Sequence, residues 1–503
     1  VEGPAVAEAW QVVPGQRELD ECRDGAQLMV WAEAPPRAVD VASDIRYAET
    51  LGTLGFAEES AELLRDVTAR AEAMDDDVSQ AEAEFVLAGV LARTGHMDDA
   101  VERLEQVYFV AREHGLQELE VRSSLELANW MGSWKGDVGA ARVWLKLSRA
   151  TDERTPLFHA NRVRAEAMLL ESEGNYEAAI ELLEAAMAQH PDADGEARLL
   201  LLEVLGTTYD ASGRLEQALE TTDEALKLAQ SLSGDAGSYV PYLLSNEGLI
   251  FTRLGRHDEA VVAQQRAVAL ETDLYGTDYV DSMGPRLNLA VALAGRDDYG
   301  EVLEMLPPVL EATERRWGAD HPDVALVLEV RGQAKRETGD FDGALVDFER
   351  ALAIVREALG PDHPDVAKYL DQSGKTLWKA GKIEEARDTY EAAAAAWDRA
   401  GQAQSPVARQ SRIAIARACA RLGAWEDARA HAQKALIAGD SAGPDDAGNL
   451  EASFILAQAF VETGTAIEQG MQQAKDAQAR ASAAGLSGLS SEIATWIGEV
   501  ETR

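Results

Sequence analysis

The sequence predicts an all-α solenoid of about eleven helix hairpins closed by a C-terminal capping helix. Three observations carry this expectation. Small residues recur at a constant spacing of 42, and the turns between paired helices carry glycine at a fixed offset from them. The composition also suits helix interiors, being 46% hydrophobic and only 6% aromatic, with 15 prolines in 503 residues.

The first series is Gly206, Gly248, Ala290, Gly332, Gly374 and Ala416, each inside an amphipathic helical pattern. A small residue there lets the second helix of the hairpin approach closely. Twelve residues on stand Ala218, Ala260, Val302, Ala344, Ala386 and Ala428, and seven further Ala225, Ala267, Val309, Ala351, Ala393 and Ala435. These positions on the second helix admit the next hairpin. Between the first two series lies the turn, with Gly213, Gly255, Gly339, Gly381 and Gly423, and Asp297 in the remaining slot. Glycine there supplies a positive φ or a tight helix end without steric cost.

The same offsets extend less strictly to either side, through Ala48 with Gly55, Ala88 with Gly95 and Ala100, Ala167 with Gly174 and Ala179, and Ala457 with Gly464. The stretch around Ala128, Gly136 and Ala141 slips by a residue and carries Trp130, Trp134 and Trp144. Those indoles are candidates for a binding surface, although amphipathic spacing favours the core. The expected organisation is an irregular lead-in over 1–37, divergent hairpins over 38–194, a regular block over 195–440, and a final hairpin with its cap over 441–503. Pro4, Pro14, Pro35 and Pro36 break up the lead-in. Because the sequence opens at Val1 without a methionine, an upstream segment is expected to have been removed.

A second signature marks the unit boundary. The segment Trp317-Gly318-Ala319-Asp320-His321-Pro322-Asp323-Val324-Ala325 returns 42 residues later as Leu359-Gly360-Pro361-Asp362-His363-Pro364-Asp365-Val366-Ala367, and a degraded copy runs over Tyr275–Asp281. Asp or His can cap the helix, Pro is tolerated in its first turn, and the later Asp complements its dipole.

With these residues in view, the chain resembles the tetratricopeptide-repeat family, and its 42-residue units resemble kinesin-light-chain-type repeats. The resemblance implies a right-handed α-α superhelix. The lead-in segment Glu18–Asp24, followed by degenerate and then regular hairpins, is similar to the C-terminal sensor region of large myxobacterial-type serine/threonine protein kinases. Two functions follow as expectations: a non-enzymatic scaffold that binds a peptide or protein in its concave groove, or a regulatory region of such a kinase. Self-assembly through open terminal repeats is a third. No kinase motif is present, since the chain lacks a glycine-rich phosphate loop, a His-Arg-Asp catalytic loop and an Asp-Phe-Gly. Gly485-Leu486-Ser487-Gly488 follows a helix and no strand, so a phosphate cradle is not expected.

Asp and Glu number 89 against 47 Lys and Arg, a formal charge of −42 that disfavours nucleic acid and anionic membranes. No apolar run reaches the roughly 18 residues of a membrane span, so a cytoplasmic protein is expected. Cys22 and Cys419 form neither a disulfide framework nor a zinc site, and no cofactor is expected. Cys419 reads as a buried core thiol. His321 and His363 are flanked by Asp, yet capping accounts for both without a metal.

In tetratricopeptide repeats the first helices face the groove, and the resemblance places there the residues one position after the small residue. That row reads Thr207, Leu249, Val291, Gln333, Lys375, Arg417, passing from neutral to basic. Lys368, Lys379 and Arg421 share the face by helical spacing. Two readings stand for this cluster: a site for an acidic peptide or free carboxylate, or neutralisation of nearby carboxylates. Asn246 and Asn288 lie 42 apart where kinesin-light-chain repeats place peptide-gripping asparagines, but the series breaks at Val330.

Overall fold

A computed structural model of the chain describes residues 41–53, 56–94, 96–133, 137–149, 156–189, 195–232, 239–275, 283–439, 443 and 445–502. The lead-in with Cys22, the degraded boundary copy beyond Tyr275, and Trp134 lie outside the described residues. Among those described, the regular structure is 23 α-helices and no strand. The first unit holds thirteen of them and the second ten.

The chain divides into two compact units, Val1–Asp297 and Asp298–Arg503. The first holds α1 (Val41–Thr53), α2 (Ala57–Ala73), α3 (Asp77–Arg93), α4 (Met97–His114), α5 (Gln117–Ser133), α6 (Val138–Arg149) and α7 (Pro156–Ser172). It continues with α8 (Tyr176–Gln189), α9 (Gly195–Ala211), α10 (Leu215–Ser231), α11 (Tyr239–Arg253), α12 (His257–Tyr275) and α13 (Met283–Gly295). The second holds α14 (Tyr299–Trp317), α15 (Pro322–Glu337), α16 (Phe341–Ala358), α17 (Pro364–Lys379) and α18 (Ile383–Arg399). It ends with α19 (Pro406–Arg421), α20 (Trp425–Ala438), α21 (Ala447–Glu462), α22 (Ile467–Ala483) and α23 (Ser487–Glu501). Within each unit, sequential helices pack as antiparallel hairpins against their neighbours.

The small-residue rule has a direct steric basis. A Cβ added at Gly332 would fall 2.8 Å from the ring of Phe348, and one at Gly374 would fall 2.7 Å from that of Tyr390. At Gly248 the occupant is Gln264, and at Gly206 it is Thr222. Each glycine is thus a notch filled by the side chain sixteen residues later on the second helix. The alanines at 218, 260, 344, 386 and 428, and at 225, 267, 351, 393 and 435, are all fully buried. The slot occupied by Asp297 keeps the turn geometry at φ 64°, a left-handed conformation that costs a non-glycine residue.

The boundary motif caps as expected, with histidine as the capping group. His321 Nδ1 accepts the Asp323 amide at 3.2 Å, and His363 Nδ1 accepts that of Asp365 at 3.2 Å, with Pro322 and Pro364 in the first turns. Trp317 stacks on His321 with ring centroids 5.1 Å apart. One departure from simple helix rules is α14, which continues through Pro307 and Pro308.

Trp130 and Trp144 belong to the core of the first unit, and Trp144 meets Tyr108 edge to face at 5.1 Å. Cys419 is buried in the second unit, where burial pushes its thiol up to about 11, so it behaves as a packing residue. At the C-terminus α23 covers the last hairpin through Ile493, Ile497 and Trp496, the last of these meeting Phe454 edge to face at 5.6 Å. An otherwise open apolar face is thereby closed. No helix among the described residues is long and apolar enough to cross a membrane.

Candidate functional site

The basic residues predicted on the first helices of the second unit do lie on successive first helices, but most already have anionic partners. Lys368 on α17 reaches Glu329 on α15 at 2.9 Å and Asp365 at 3.5 Å, and its ammonium lies 4.8 Å from the Tyr369 ring centre. Lys379 pairs with Glu337, again from α17 to α15. Arg417 on α19 binds Glu451 on α21, with Nε donating at 2.7 Å, and its guanidinium stands 5.9 Å from the Trp378 ring centre. Gln333 donates to Glu329 at 3.3 Å, and Arg336 donates to Gln372 at 2.8 Å. The geometry is a ladder of ties between neighbouring first helices, with carboxylates offsetting three of the five predicted cations.

Lys375 and Arg421 are the exceptions. Both are exposed, and among the described residues neither has an ion-pair partner. Lys375 lies near enough to Asp371 to favour its charged form, against the burial that raises the Asp371 pKa. The Asp371 carboxylate instead accepts Ser411 Oγ and Trp397 Nε1, each at 2.8 Å.

Arg421 opens onto a cleft of about 1040 Å³ bounded by α19, α21 and the start of α23. Its lining includes Trp378, Trp425 and Trp496, the Arg417–Glu451 pair, and two further carboxylates, Glu462 and Glu492. The segment Gly485–Gly488 also borders it. These indoles were not singled out as site residues by sequence reasoning, because an aromatic at helical spacing is ordinarily core. The available signal was that Trp378 lies three residues after Lys375, one turn along the predicted face.

In the first unit the two asparagines are engaged inside the fold. Asn288 Nδ2 donates to Ser245 Oγ at 3.0 Å, which bonds in turn to the buried Gln264 at 3.1 Å. Asn246 hydrogen bonds to the Tyr242 side chain. These two amides thus make one tie between first helices and one within a first helix. Thr207 returns its hydroxyl to the Val204 carbonyl at 2.9 Å. A smaller cleft of about 410 Å³ lies between α1, α3 and α5, where the Arg122 guanidinium stands 4.5 Å from the Phe85 ring centre. Among the described residues no group of three or more His, Cys, Asp or Glu side chains is placed to hold a metal ion.

Comparison with known proteins agrees with the repeat reading. One tetratricopeptide-repeat family model matches residues 162–231, 323–399 and 373–437, and a second matches 286–323. No curated protein matches the chain. Among solved structures, BtubC (BKLC) from P. vanneervenii is similar at 22% identity over 47% of this chain and 90% of its own, with a TM-score of 0.37. A proposed kinesin light chain of Podosopora anserina with nearly identical TPR-like repeats is similar at 18% identity over 40% of this chain and 94% of its own, with a TM-score of 0.35. A Rap protein complexed with Competence and Sporulation Factor is similar at 13% identity over 76% of this chain and 98% of its own, with a TM-score of 0.45.

Proposed function

We propose that this chain, which carries tetratricopeptide repeats of the kinesin-light-chain-like kind, is a non-enzymatic scaffold that binds an acidic peptide or protein segment on its second unit. One observation carries the reading: an open cleft of about 1040 Å³ combines Arg421, which has no ion-pair partner among the described residues, with three lining tryptophans. Its volume lies just above the range for ligand pockets, about 300–1,000 Å³. Arginine and tryptophan are also the residue types that dominate binding energy at interfaces. In so acidic a chain, a cation left without a carboxylate is available to a carboxylate of the partner. A charge-assisted hydrogen bond of that kind contributes roughly 1.5–3 kcal/mol.

Arg417 has a different role in this reading. Its guanidinium is committed to Glu451, so the pair shapes the lining while Arg421 makes the contact. The test is selection from a displayed library of random octapeptides, followed by affinity measurement on the recovered sequences. Recovered peptides should be rich in Asp, Glu or a free C-terminal carboxylate beside apolar residues, and Arg421→Glu should weaken them by about tenfold or more. Affinity unchanged in Arg421→Glu, with Trp378→Ala equally silent, would remove the cleft from consideration.

A further inference from the structure

The first unit contains a carboxylate whose counterpart in the second unit is neutralised. Glu329 on α15 is met by Lys368 on α17 at 2.9 Å. Three periods of 42 residues earlier, the same two repeat positions hold Glu203 on α9 and Tyr242 on α11. Tyr242 donates its hydroxyl to Glu203 Oε1 at 3.1 Å. Glu203 is only 7% exposed, and its Oε2 is buried with no hydrogen-bond partner among the described residues. The repeat thus keeps the acid and replaces the cation with a neutral donor that reaches one oxygen.

The surroundings sharpen the mismatch. Glu171 on α7, half-buried beside it, takes the Thr208 hydroxyl, and burial together with the charge of Glu203 raises its pKa. Arg164 on α7 stands near the Tyr242 hydroxyl, yet among the described residues it makes no ion pair with Glu203. Two neighbouring carboxylates, one buried and one partly buried, therefore have no bonded cation among the described residues, an arrangement that costs folding free energy unless something completes it. Tyr242 is 45% exposed, so one side of its ring faces solvent, while its hydroxyl is held by Glu203 and Asn246.

We propose that Glu203, with Glu171, forms an acceptor site on the first unit for a lysine or arginine side chain of a partner protein segment. The incoming cation takes the place that Lys368 fills in the second unit, beside the Tyr242 hydroxyl. The proposal rests on the reading that the chain binds protein segments, but it names a different unit and the opposite partner charge from the Arg421 cleft.

The experiment has a binding arm and a stability arm. A displayed library of random octapeptides is selected at physiological salt on the wild-type chain, and recovered Lys- or Arg-containing peptides are measured against Glu203→Gln and Tyr242→Lys. The second variant supplies internally the cation that the site lacks. Both should weaken these peptides about tenfold or more, while Glu216→Gln, at an exposed carboxylate of α10, should change them less than twofold. Both variants should also raise the melting temperature of the free chain, because each relieves an incompletely paired buried charge. Basic peptides bound equally well by Glu203→Gln, or weakened equally by Glu216→Gln, would overturn the site. A lowered melting temperature in both variants would show Glu203 to be a structural tie to Tyr242 and would overturn it too. Loss of acidic peptides in Arg421→Glu is read separately, so failure of this site and failure of the cleft are distinguishable.

Discussion

Gly374 and Tyr390 share one notch: the tyrosine ring lies where the glycine's side chain would be, 2.7 Å from an ideal Cβ. Gly374→Ala gains up to about 1 kcal/mol of helix propensity but forces a buried ring to move, an overpacking cost of about 1–3 kcal/mol. The expected net effect is destabilisation. Gly498 on α23 has nothing within 4 Å of its ideal Cβ, so Gly498→Ala should stabilise by about 0.5–1 kcal/mol. Urea denaturation of the two variants beside the parent checks both signs, and a stabilised Gly374→Ala would refute the notch account of the 42-residue series.

The histidine caps make a second test, since His321 and His363 each satisfy one otherwise orphaned amide at the start of a helix. Replacing either with Ala should cost about 1 kcal/mol, whereas Asn, a strong capping residue, should retain most of the stability. Thermal melts of the four single variants would show this. Equal losses for Ala and Asn would mean that the Trp317–His321 stacking, and not the cap, matters at the first site.

These two cases show why the fold was legible and the site only partly so. A notch at Gly374 or a cap at His363 depends on residues within about one hairpin, so the repeat spacing exposes it. The state of a groove cation depends on a residue on the neighbouring first helix. Lys379 and Lys375 look equivalent in sequence, yet Glu337 engages the first and, among the described residues, no carboxylate forms an ion pair with the second. The Glu203–Tyr242 substitution was written in the same 42-residue register, but its meaning required knowing that Oε2 is enclosed and, among the described residues, unbonded. Trp378, Trp425 and Trp496 escaped for a related reason: helical spacing separates core from surface, but it does not reveal that α23 leaves a cleft beside them.

A buried charge cluster should dominate the stability of the α15–α16 hairpin. Asp347, 3% exposed at its side chain, accepts Arg331 Nε at 2.9 Å and Nη2 at 2.6 Å, with Lys335 Nζ at 2.8 Å. Asp347→Ala strands two mostly buried cations at once, a loss of about 3–5 kcal/mol by analogy with other broken buried pairs. Replacing all three residues with apolar ones of similar size should recover much of that loss. Chemical denaturation of the single and triple variants distinguishes a costly orphaned charge from a simple loss of packing, since the latter predicts no recovery.

His431 supplies the pH dependence. It sits half-buried on α20, where burial first and the Lys434 charge second hold its imidazole below the ordinary 6.5, and its enclosed Nδ1 has no hydrogen-bond partner among the described residues. The fold therefore favours neutral histidine. Below pH 6.5 and down to the depressed folded value, the unfolded chain carries more of this proton than the folded one, so the contribution of this residue to stability falls as pH falls. Above that window the contribution is complete and constant. His431→Gln, which keeps a polar side chain but cannot titrate, should flatten this part of the stability profile just below about pH 6.5 while the carboxylate-driven loss at lower pH remains. Melting temperatures of the parent and variant at half-unit pH steps measure the difference directly. Parallel profiles throughout that interval would show that His431 is charged alike in the folded and unfolded chains.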